Sequence, residues 1–227
     1  GIALLAVPAI QLLTAALFPA YATESNLSAA DNTLILTSSA LVLLMTPGLA
    51  FFYGGFTQAK NVLNTMAMSF VMMGIATLVW ATVGFSLAFS DGGASNSFIG
   101  NPATYAFLEN LPTNWEGLQI PGLSFALFQG MFAIITPALI SGALVERISF
   151  RFWCLFTPIW ILFVYAPLAH MVWGGGFLGK DLDFAGGTVV HISSGVSALV
   201  LAGLIGSRSN WPKGIKPPHD ITQILIG

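Results

Sequence analysis

The chain has 227 residues, of which 56% are hydrophobic and 7% are charged, and its formal net charge is −2. Soluble domains carry about 25% charged residues, so this composition excludes a soluble globular protein and indicates one whose solvent is largely lipid. The small, scattered charge gives no basis for nucleic-acid binding. A single cysteine, Cys154, excludes an internal disulfide.

The first segment, residues 1–22, is apolar and ends in the small residues Ala20 and Ala22. This pattern resembles the hydrophobic region and cleavage site of a secretory signal peptide that lacks its basic start. A first transmembrane helix is the alternative, but Pro8 and Pro19 favour the signal peptide. We therefore predict a signal peptide over 1–22 and one membrane domain over 23–227.

Five long stretches after this segment contain no Asp, Glu, Lys or Arg. Each exceeds the roughly 20 residues with which a helix crosses a bilayer, and in lipid an apolar run of this length must be helical to satisfy its backbone. The sequence thus predicts an all-α, polytopic membrane helix bundle, with another apolar segment starting near Ile221. The five stretches are 32–59, 61–90, 117–145, 152–179 and 184–207.

The basic residues predict the orientation of the bundle. Six of the seven Lys and Arg residues fall in connections on one side, and Lys180 alone falls on the other. By the positive-inside rule the first side is cytoplasmic, and the processed N-terminus and the Gly-, Asn- and Pro-rich loop 91–116 are external. We expect a multi-pass protein of the plasma (inner) membrane.

The fifth stretch holds one ionisable side chain in its interior, His191. A histidine that only packs in the bundle is one interpretation, but ionisable groups in membranes usually face a cavity or a pathway. His191 lies eight residues after Asp183, about 12 Å along a helix and hence near mid-membrane. Asp183 itself stands where a carboxylate caps free helical N–H groups, so a structural role is at least as strong an interpretation as contact with a substrate.

Aromatic residues cluster towards the external side. Phe128 and Phe132 are one helical turn apart, and Trp173 ends the fourth stretch beside three glycines. Taken singly, each fits lipid contact or the interfacial aromatic belt. Together they predict a vestibule above His191 that attracts a small cation by cation–π interaction.

Several motifs resemble those of the ammonium transporter (Amt) family over about residues 31–210. The most specific are "DFAGGTVVH" and "HMVWGGG", joined by "MTPGLAFFYGG", "FQGMFA" and "GALVERISF". The resemblance implies the first five-helix repeat, plus the start of helix six, of an eleven-helix inverted-repeat transporter that assembles as a homotrimer with one pore per protomer. The partners it implies are ammonium or ammonia, membrane lipid and a PII-type regulator on the cytoplasmic face.

The same resemblance implies roles for single residues. Trp173, Phe128 and Phe132 correspond to the family's substrate-binding recruitment site, and Phe132 also to a gate of the pore. His191 corresponds to the first of two paired pore histidines, and Asp183 to an acidic residue of structural or electrostatic role. His170 matches the family's wording, and we expect it to be structural.

The function implied is transport of ammonium through a narrow pore, with deprotonation before conduction, and no cofactor or metal is expected. The alternative is an Amt-like ammonium sensor coupled to a cytoplasmic signalling domain. A membrane-embedded enzyme ranks lower, because the other ionisable candidates within the five stretches, His170, Cys154 and the tyrosines, show no metal-site or acid–base spacing.

Overall fold

The structure, a computed structural model, describes residues 27–179, 182–208, 211–212, 214 and 217–227. The predicted signal peptide lies outside the described residues. Within them, five helical segments are long and apolar enough to cross a membrane, as the sequence predicted. These spans are Ala29–Phe56, Ala59–Phe89, Gly122–Leu144, Phe150–Trp173 and Gly187–Ile205.

The first and third spans are single α-helices, α1 (Ala29–Phe56) and α4 (Gly122–Leu144). Ser28 caps α1, because its hydroxyl accepts the backbone N–H of Asp31 at 3.1 Å. Pro47 and Pro137 lie inside these two helices without ending them. Proline is tolerated inside membrane helices because neighbouring groups satisfy the backbone acceptor that it leaves free.

The other three spans each contain a π-helical turn, which the sequence did not predict. The second span comprises a 3-10 turn (Ala59–Asn61), α2 (Val62–Val79), a π-turn (Trp80–Gly84) and α3 (Phe85–Phe89). The fourth comprises α5 (Phe150–Trp160), a π-turn (Ile161–Tyr165) and α6 (Ala166–Trp173). The fifth begins with a π-turn (Gly187–Ile192) that continues into α7 (Ser193–Ile205), and a short helix α8 (Ile221–Ile226) follows.

Helix α4 lies at the centre of the bundle and packs against α1, α2 and α7. It is also the most buried of the five spans. A small residue allows the close packing with α1, because a Cβ added at Gly142 would lie 2.5 Å from the ring of Tyr53. The Tyr53 hydroxyl also donates to the Leu139 carbonyl of α4 at 3.0 Å. Because Phe128 and Phe132 belong to α4, the central packing fixes where these two rings lie.

The loop 91–116 is held against the bundle by an aromatic cluster. Trp115 of the loop stacks on Phe125 of α4 with ring centroids 4.3 Å apart. Trp80 donates its indole N–H to the Ala126 carbonyl at 3.0 Å. Trp80 thus supplies apolar area to the cluster while its indole N–H finds a partner.

Hydrogen bonds between connections define two ends of the bundle. One end, which we call the basic end, carries the connections that contain Lys60, Arg147 and Arg151. There the backbone N–H of Gln58 donates to Glu146 at 3.0 Å, and the backbone N–H of His219 donates to the Gly55 carbonyl at 3.1 Å. The opposite end carries the loop 91–116, and we call it the loop end. There the backbone N–H of Phe177 donates to the Ser97 carbonyl at 3.1 Å. The alternation of the connections between two sides is therefore as the sequence predicted.

Candidate functional site

A cavity of about 780 Å³ lies between α1, α4, the π-turn of the fifth span and the end of α8. Both Phe132 and His191 line it, whereas Phe128 and Trp173 are not among its lining residues. His191 is the one ionisable side chain among the described lining residues, and the rest of the wall is almost wholly apolar. The structure therefore brings two of the predicted residues to one apolar cavity.

The π-turn of the fifth span presents His191 to this cavity. Gly186 has a φ of 86°, which favours glycine, and its carbonyl accepts the N–H of His191 at 3.1 Å in the i+5 pattern of a π-turn. The His191 side chain is exposed, and no hydrogen bond joins its imidazole to the described part of the chain. Both ring nitrogens are thus available to the cavity.

Phe128 and Phe132 contact each other on α4. Their rings meet edge to face, with centroids 5.0 Å apart and an interplanar angle of 88°. Both side chains are half-buried, so each keeps an accessible part of its ring. The pair extends from the cavity wall at Phe132 towards the loop end at Phe128.

Asp183 holds the beginning of the fifth span. Its carboxylate accepts four backbone N–H groups, those of Gly186 and Gly187 at one oxygen and of Thr188 and Val189 at the other, at 2.6 to 2.9 Å. Burial opposes the charge of Asp183, but these four donors together lower the pKa of the carboxyl below its ordinary value. The buried carboxylate is therefore fully occupied by the backbone.

Trp173 is attached to the same residue from the other side. Its indole N–H donates to the backbone carbonyl of Asp183 at 3.0 Å, and its side chain is half-buried. The ring orientation is therefore fixed by the segment that also caps the fifth span. Trp173, Asp183 and the His191 turn form one connected unit at the loop end.

His170 lies in a different environment, fully buried in α6. Its Nδ1 lies 3.0 Å from the carbonyl oxygen of Ala88, and its Nε2 lies 2.7 Å from that of Asn96. The side chain therefore joins the fourth span to the end of the second span and to the loop that follows it. These contacts fit the structural role that we expected.

Two residues at the basic end were not predicted as functional, although the quoted motif "GALVERISF" contains them. Glu146 and Arg147 follow the C-cap of α4, and together they contact two other segments, the connection between the first two spans and the end of α7. The available signal was a charge pair of opposite sign at the end of a long apolar run. Nothing in that pattern specifies which carbonyls and amides the pair will contact.

The fold and the cavity define a polytopic helical membrane protein with a histidine on the wall of an apolar cavity. Residues 33–227 match the Ammonium Transporter Family, and the chain belongs to that family. An ammonium transporter of Aquifex aeolicus is 48% identical over 211 residues, which cover 92% of this chain and 49% of that protein. The chain thus spans about half the length of the curated relatives it matches.

Solved structures give the same result for the fold. The crystal structure of Saccharomyces cerevisiae Mep2 is 32% identical, with a TM-score of 0.80 over 89% of this chain and 47% of that one. A structure named Sensor Amt Protein is 27% identical, with a TM-score of 0.76 over 86% of this chain and 50% of that one. The described bundle is therefore similar to about half of each of these chains, as the resemblance to a first repeat implied.

Proposed function

We propose that the protein conducts ammonium-derived ammonia through a pore to which the Phe132–His191 cavity belongs. The observation that carries the proposal is the convergence of these two side chains, from α4 and the fifth span, on one apolar cavity. Family membership supports the choice of ammonium as the substrate, because the relatives are named ammonium transporters. A pore of this kind has no need of a cofactor.

The physical basis is the difference between an ion and a neutral molecule in an apolar cavity. Moving an ammonium ion out of water is expensive because its charge loses its hydration, whereas ammonia is small and neutral. The ion is therefore captured and deprotonated before conduction. Potassium has no proton to release and is excluded at this neutral step.

The residues divide this work along the pathway. The faces of Trp173, Phe128 and Phe132 attract the cation, and a desolvated cation–π contact is worth about 2 kcal/mol. Phe132 also narrows the pathway beside the histidine. A neutral imidazole donates at one nitrogen and accepts at the other, so His191 hydrogen-bonds ammonia in the lumen without a net charge. Asp183 supports capture electrostatically while it holds the backbone beside Trp173.

The membrane orientation, processing and assembly that we propose are those predicted from the sequence. The basic end is cytoplasmic, the loop end is external, and residues 1–22 are a signal peptide before a membrane domain over 23–227. The protein is a homotrimer in the plasma (inner) membrane with a PII-type regulator at its cytoplasmic face. Labelling of single cysteines at Ser95 and Ser207 in intact cells tests the orientation: external reagent labels Ser95, and labelling of Ser207 alone contradicts it.

The decisive experiment is flux into liposomes that contain the purified complete protein with His191→Leu. Leucine has comparable bulk and no hydrogen-bonding atoms, so the variant assembles but loses normal ammonium uptake, and it admits potassium because the proton-requiring step is gone. Uptake of ammonium and of potassium is measured separately, with wild type as the reference. Wild-type ammonium uptake and unchanged selectivity in an assembled variant contradict the proposal.

The second candidate function is an ammonium sensor that signals through an attached cytoplasmic domain. It is favoured by the likeness to the structure named Sensor Amt Protein. A sensor binds ammonium and changes conformation without sustained flux. Ammonium binding by the complete protein, measured by calorimetry, together with no liposome uptake supports the sensor over the transporter.

A further inference from the structure

The end of α4 has an unusual backbone. Glu146, one residue beyond the helix cap, has a φ of 65°, in the left-handed region that residues with a Cβ rarely adopt. The Arg147 N–H returns to the Leu144 carbonyl at 3.1 Å, which closes the turn. Such strain persists only where the surroundings fix the conformation. Here it directs two neighbouring charged side chains to different parts of the bundle.

Glu146 fastens the connection between the first and second spans. Its carboxylate accepts the backbone N–H of Gln58 at 3.0 Å, the Gln58 side-chain amide at 3.2 Å and the Asn61 amide at 3.1 Å. Burial opposes its ionisation, but these bonds and the charge of Arg208 lower the pKa of Glu146 below its ordinary value. Glu146 is therefore an anionic attachment point at the basic end.

Arg147 turns to the ends of two helices. Its guanidinium donates to the Ala143 carbonyl at the end of α4, and to the carbonyls of Ala202 and Gly206 at the end of α7, the Ala202 contact being 3.4 Å long. The C-terminal carbonyls of a helix are its negative end, and two parallel helices that end side by side repel there. A cationic fork with several donors offsets that repulsion and fixes the spacing.

The two helices that Arg147 joins are the two that carry the cavity residues. Ala143 lies eleven residues after Phe132 on α4, and Ala202 lies eleven residues after His191 on the fifth span. The guanidinium is therefore about 16 Å along each helix from its cavity residue, at equal depth on both. The contact at the basic end therefore lies at the same distance from both walls of the cavity.

We propose that Arg147 is a positioning residue for the pore, which sets the separation of the Phe132 helix and the His191 helix by binding the carbonyls at both C-terminal ends. Glu146 holds the same turn to the connection between the first two spans, so that the turn is a fixed base for the guanidinium. This inference rests on the proposed pore function, but the spacing itself is measurable without flux.

The first measurement is of the spacing. Spin labels are placed at Ser149→Cys, two residues after Arg147 in the turn that follows α4, and at Ser207→Cys, beside the end of α7, in an otherwise cysteine-free complete protein diluted with unlabelled protomers. Both side chains are exposed. In Arg147→Ala the distance distribution between the labels broadens. In the matched control Arg151→Ala, which removes an exposed arginine of α5, it stays as in the unsubstituted background.

The second measurement is ammonium flux into liposomes. In Arg147→Ala we expect the maximal rate to fall by about tenfold or more, because a misplacement of about an ångström in a positioned pair can cost about a hundredfold. The apparent KM stays within about twofold, because capture at the loop end is untouched. In Arg147→Lys the width of the label distance distribution and the maximal rate both lie between those of wild type and Arg147→Ala. Lysine keeps the charge, but it lacks the planar guanidinium that binds three carbonyls. Arg151→Ala behaves as wild type.

Unchanged label distances in Arg147→Ala overturn the proposal, and so does a broadened distribution with wild-type flux. A loss of flux that is equal in Arg147→Ala and Arg151→Ala also overturns it, because then charge alone matters. If Arg147→Ala does not assemble, Arg147→Lys decides: wild-type spacing in the lysine variant contradicts the need for a fork. Absence of ammonium flux in wild-type liposomes contradicts the proposed function instead. The label distances then still test whether Arg147 sets the separation of the two helices.

Discussion

The two histidines of the membrane spans, His170 and His191, occupy opposite environments. His170 is fully buried, and both of its ring nitrogens contact carbonyl oxygens of other segments. His191 is exposed on the wall of an apolar cavity, and its imidazole has no hydrogen bond to the described residues. An intramembrane histidine is thus structural where the fold surrounds it with acceptors, and available for chemistry where a helix turns it to open space.

The difference arises from the backbone around each ring. Gly174 and Gly176 follow α6 closely: a Cβ at Gly174 would lie 2.0 Å from the Ala88 carbonyl oxygen, and one at Gly176 would lie 2.9 Å from that of Ser97. These glycines let the loop end approach His170 and cover it. Around His191, a Cβ at Gly187 or Gly195 meets nothing within 4 Å. Small residues therefore produce a closed site in one place and an open wall in the other.

The sharpest test of this comparison is the stability of two leucine variants. His170→Leu removes the imidazole N–H that pairs with a backbone carbonyl, either that of Ala88 or that of Asn96. A buried carbonyl left unpaired costs about 1–3 kcal/mol, so we expect a loss of about that size. His191→Leu changes stability by less than about 1 kcal/mol, because the side chain is exposed and its imidazole has no hydrogen bond to the described residues. Thermal unfolding of the complete protein in detergent measures both, and equal losses contradict the comparison.

Replacement of Asp183 by Asn tests the unit that presents His191. Asparagine keeps one acceptor oxygen and turns two amide hydrogens towards backbone donors, so we expect a loss of about 2 kcal/mol. Because the folded pKa is lowered, the contribution of Asp183 is fully present above its ordinary pKa of 3.8 and disappears as the pH falls through the folded value. Unfolding curves at several pH values should show the gap between variant and wild type closing only in acid. A gap that is constant with pH would mean that the carboxylate charge is unimportant.

A pair of glycine variants tests packing on the two kinds of surface. Gly142→Ala brings a methyl group to within 2.5 Å of the Tyr53 ring, and we expect overpacking to cost about 1–3 kcal/mol. Gly74→Ala in α2 meets nothing within 4 Å, so it is neutral or stabilises the helix by roughly 0.5–1 kcal/mol. The same unfolding assay compares them. A larger loss for Gly74→Ala would show that its surface is covered in the assembled protein.

The smallest effect is expected for Trp173→Phe. The change removes the indole hydrogen bond to the Asp183 carbonyl, worth about 1 kcal/mol, and weakens the aromatic face for a cation. On the proposed function, the apparent KM for ammonium rises several-fold while the maximal rate is unchanged. Flux measured from low to saturating ammonium separates the two quantities, and a reduced maximal rate at constant KM would place Trp173 deeper in the pathway.

The order and number of the spans were predictable from charge-free intervals alone. The first and last residues of each span were less predictable. The charge-free interval 117–145 contains the helix Gly122–Leu144, and the interval 184–207 contains the span Gly187–Ile205. Absence of charge marks what lipid tolerates, whereas a helix begins and ends where its backbone finds partners. At Asp183 the partner was predictable, because an acidic residue before a helix is a common cap.

The contacts of single side chains were predictable only in part. The pairing of Phe128 with Phe132 follows from their spacing of one helical turn. The long-range partners of His170 and Arg147 do not, since they are backbone carbonyls that lie from 55 to 82 residues away along the sequence. Carbonyls occur at every residue, so the sequence carries no mark of which one a donor will reach.

The π-turn at Gly187–Ile192 has a consequence for the rotational setting of the fifth span. Its i+5 hydrogen bond accommodates one residue more than an α-helical turn does, and one residue corresponds to about 100° around a helix axis. Everything from Ser193 onward is therefore rotated by that angle relative to Asp183. His191 lies within the turn, and the contact with α4 lies in α7 beyond it. The turn therefore sets the angle between the face that shows His191 to the cavity and the capped beginning of the span.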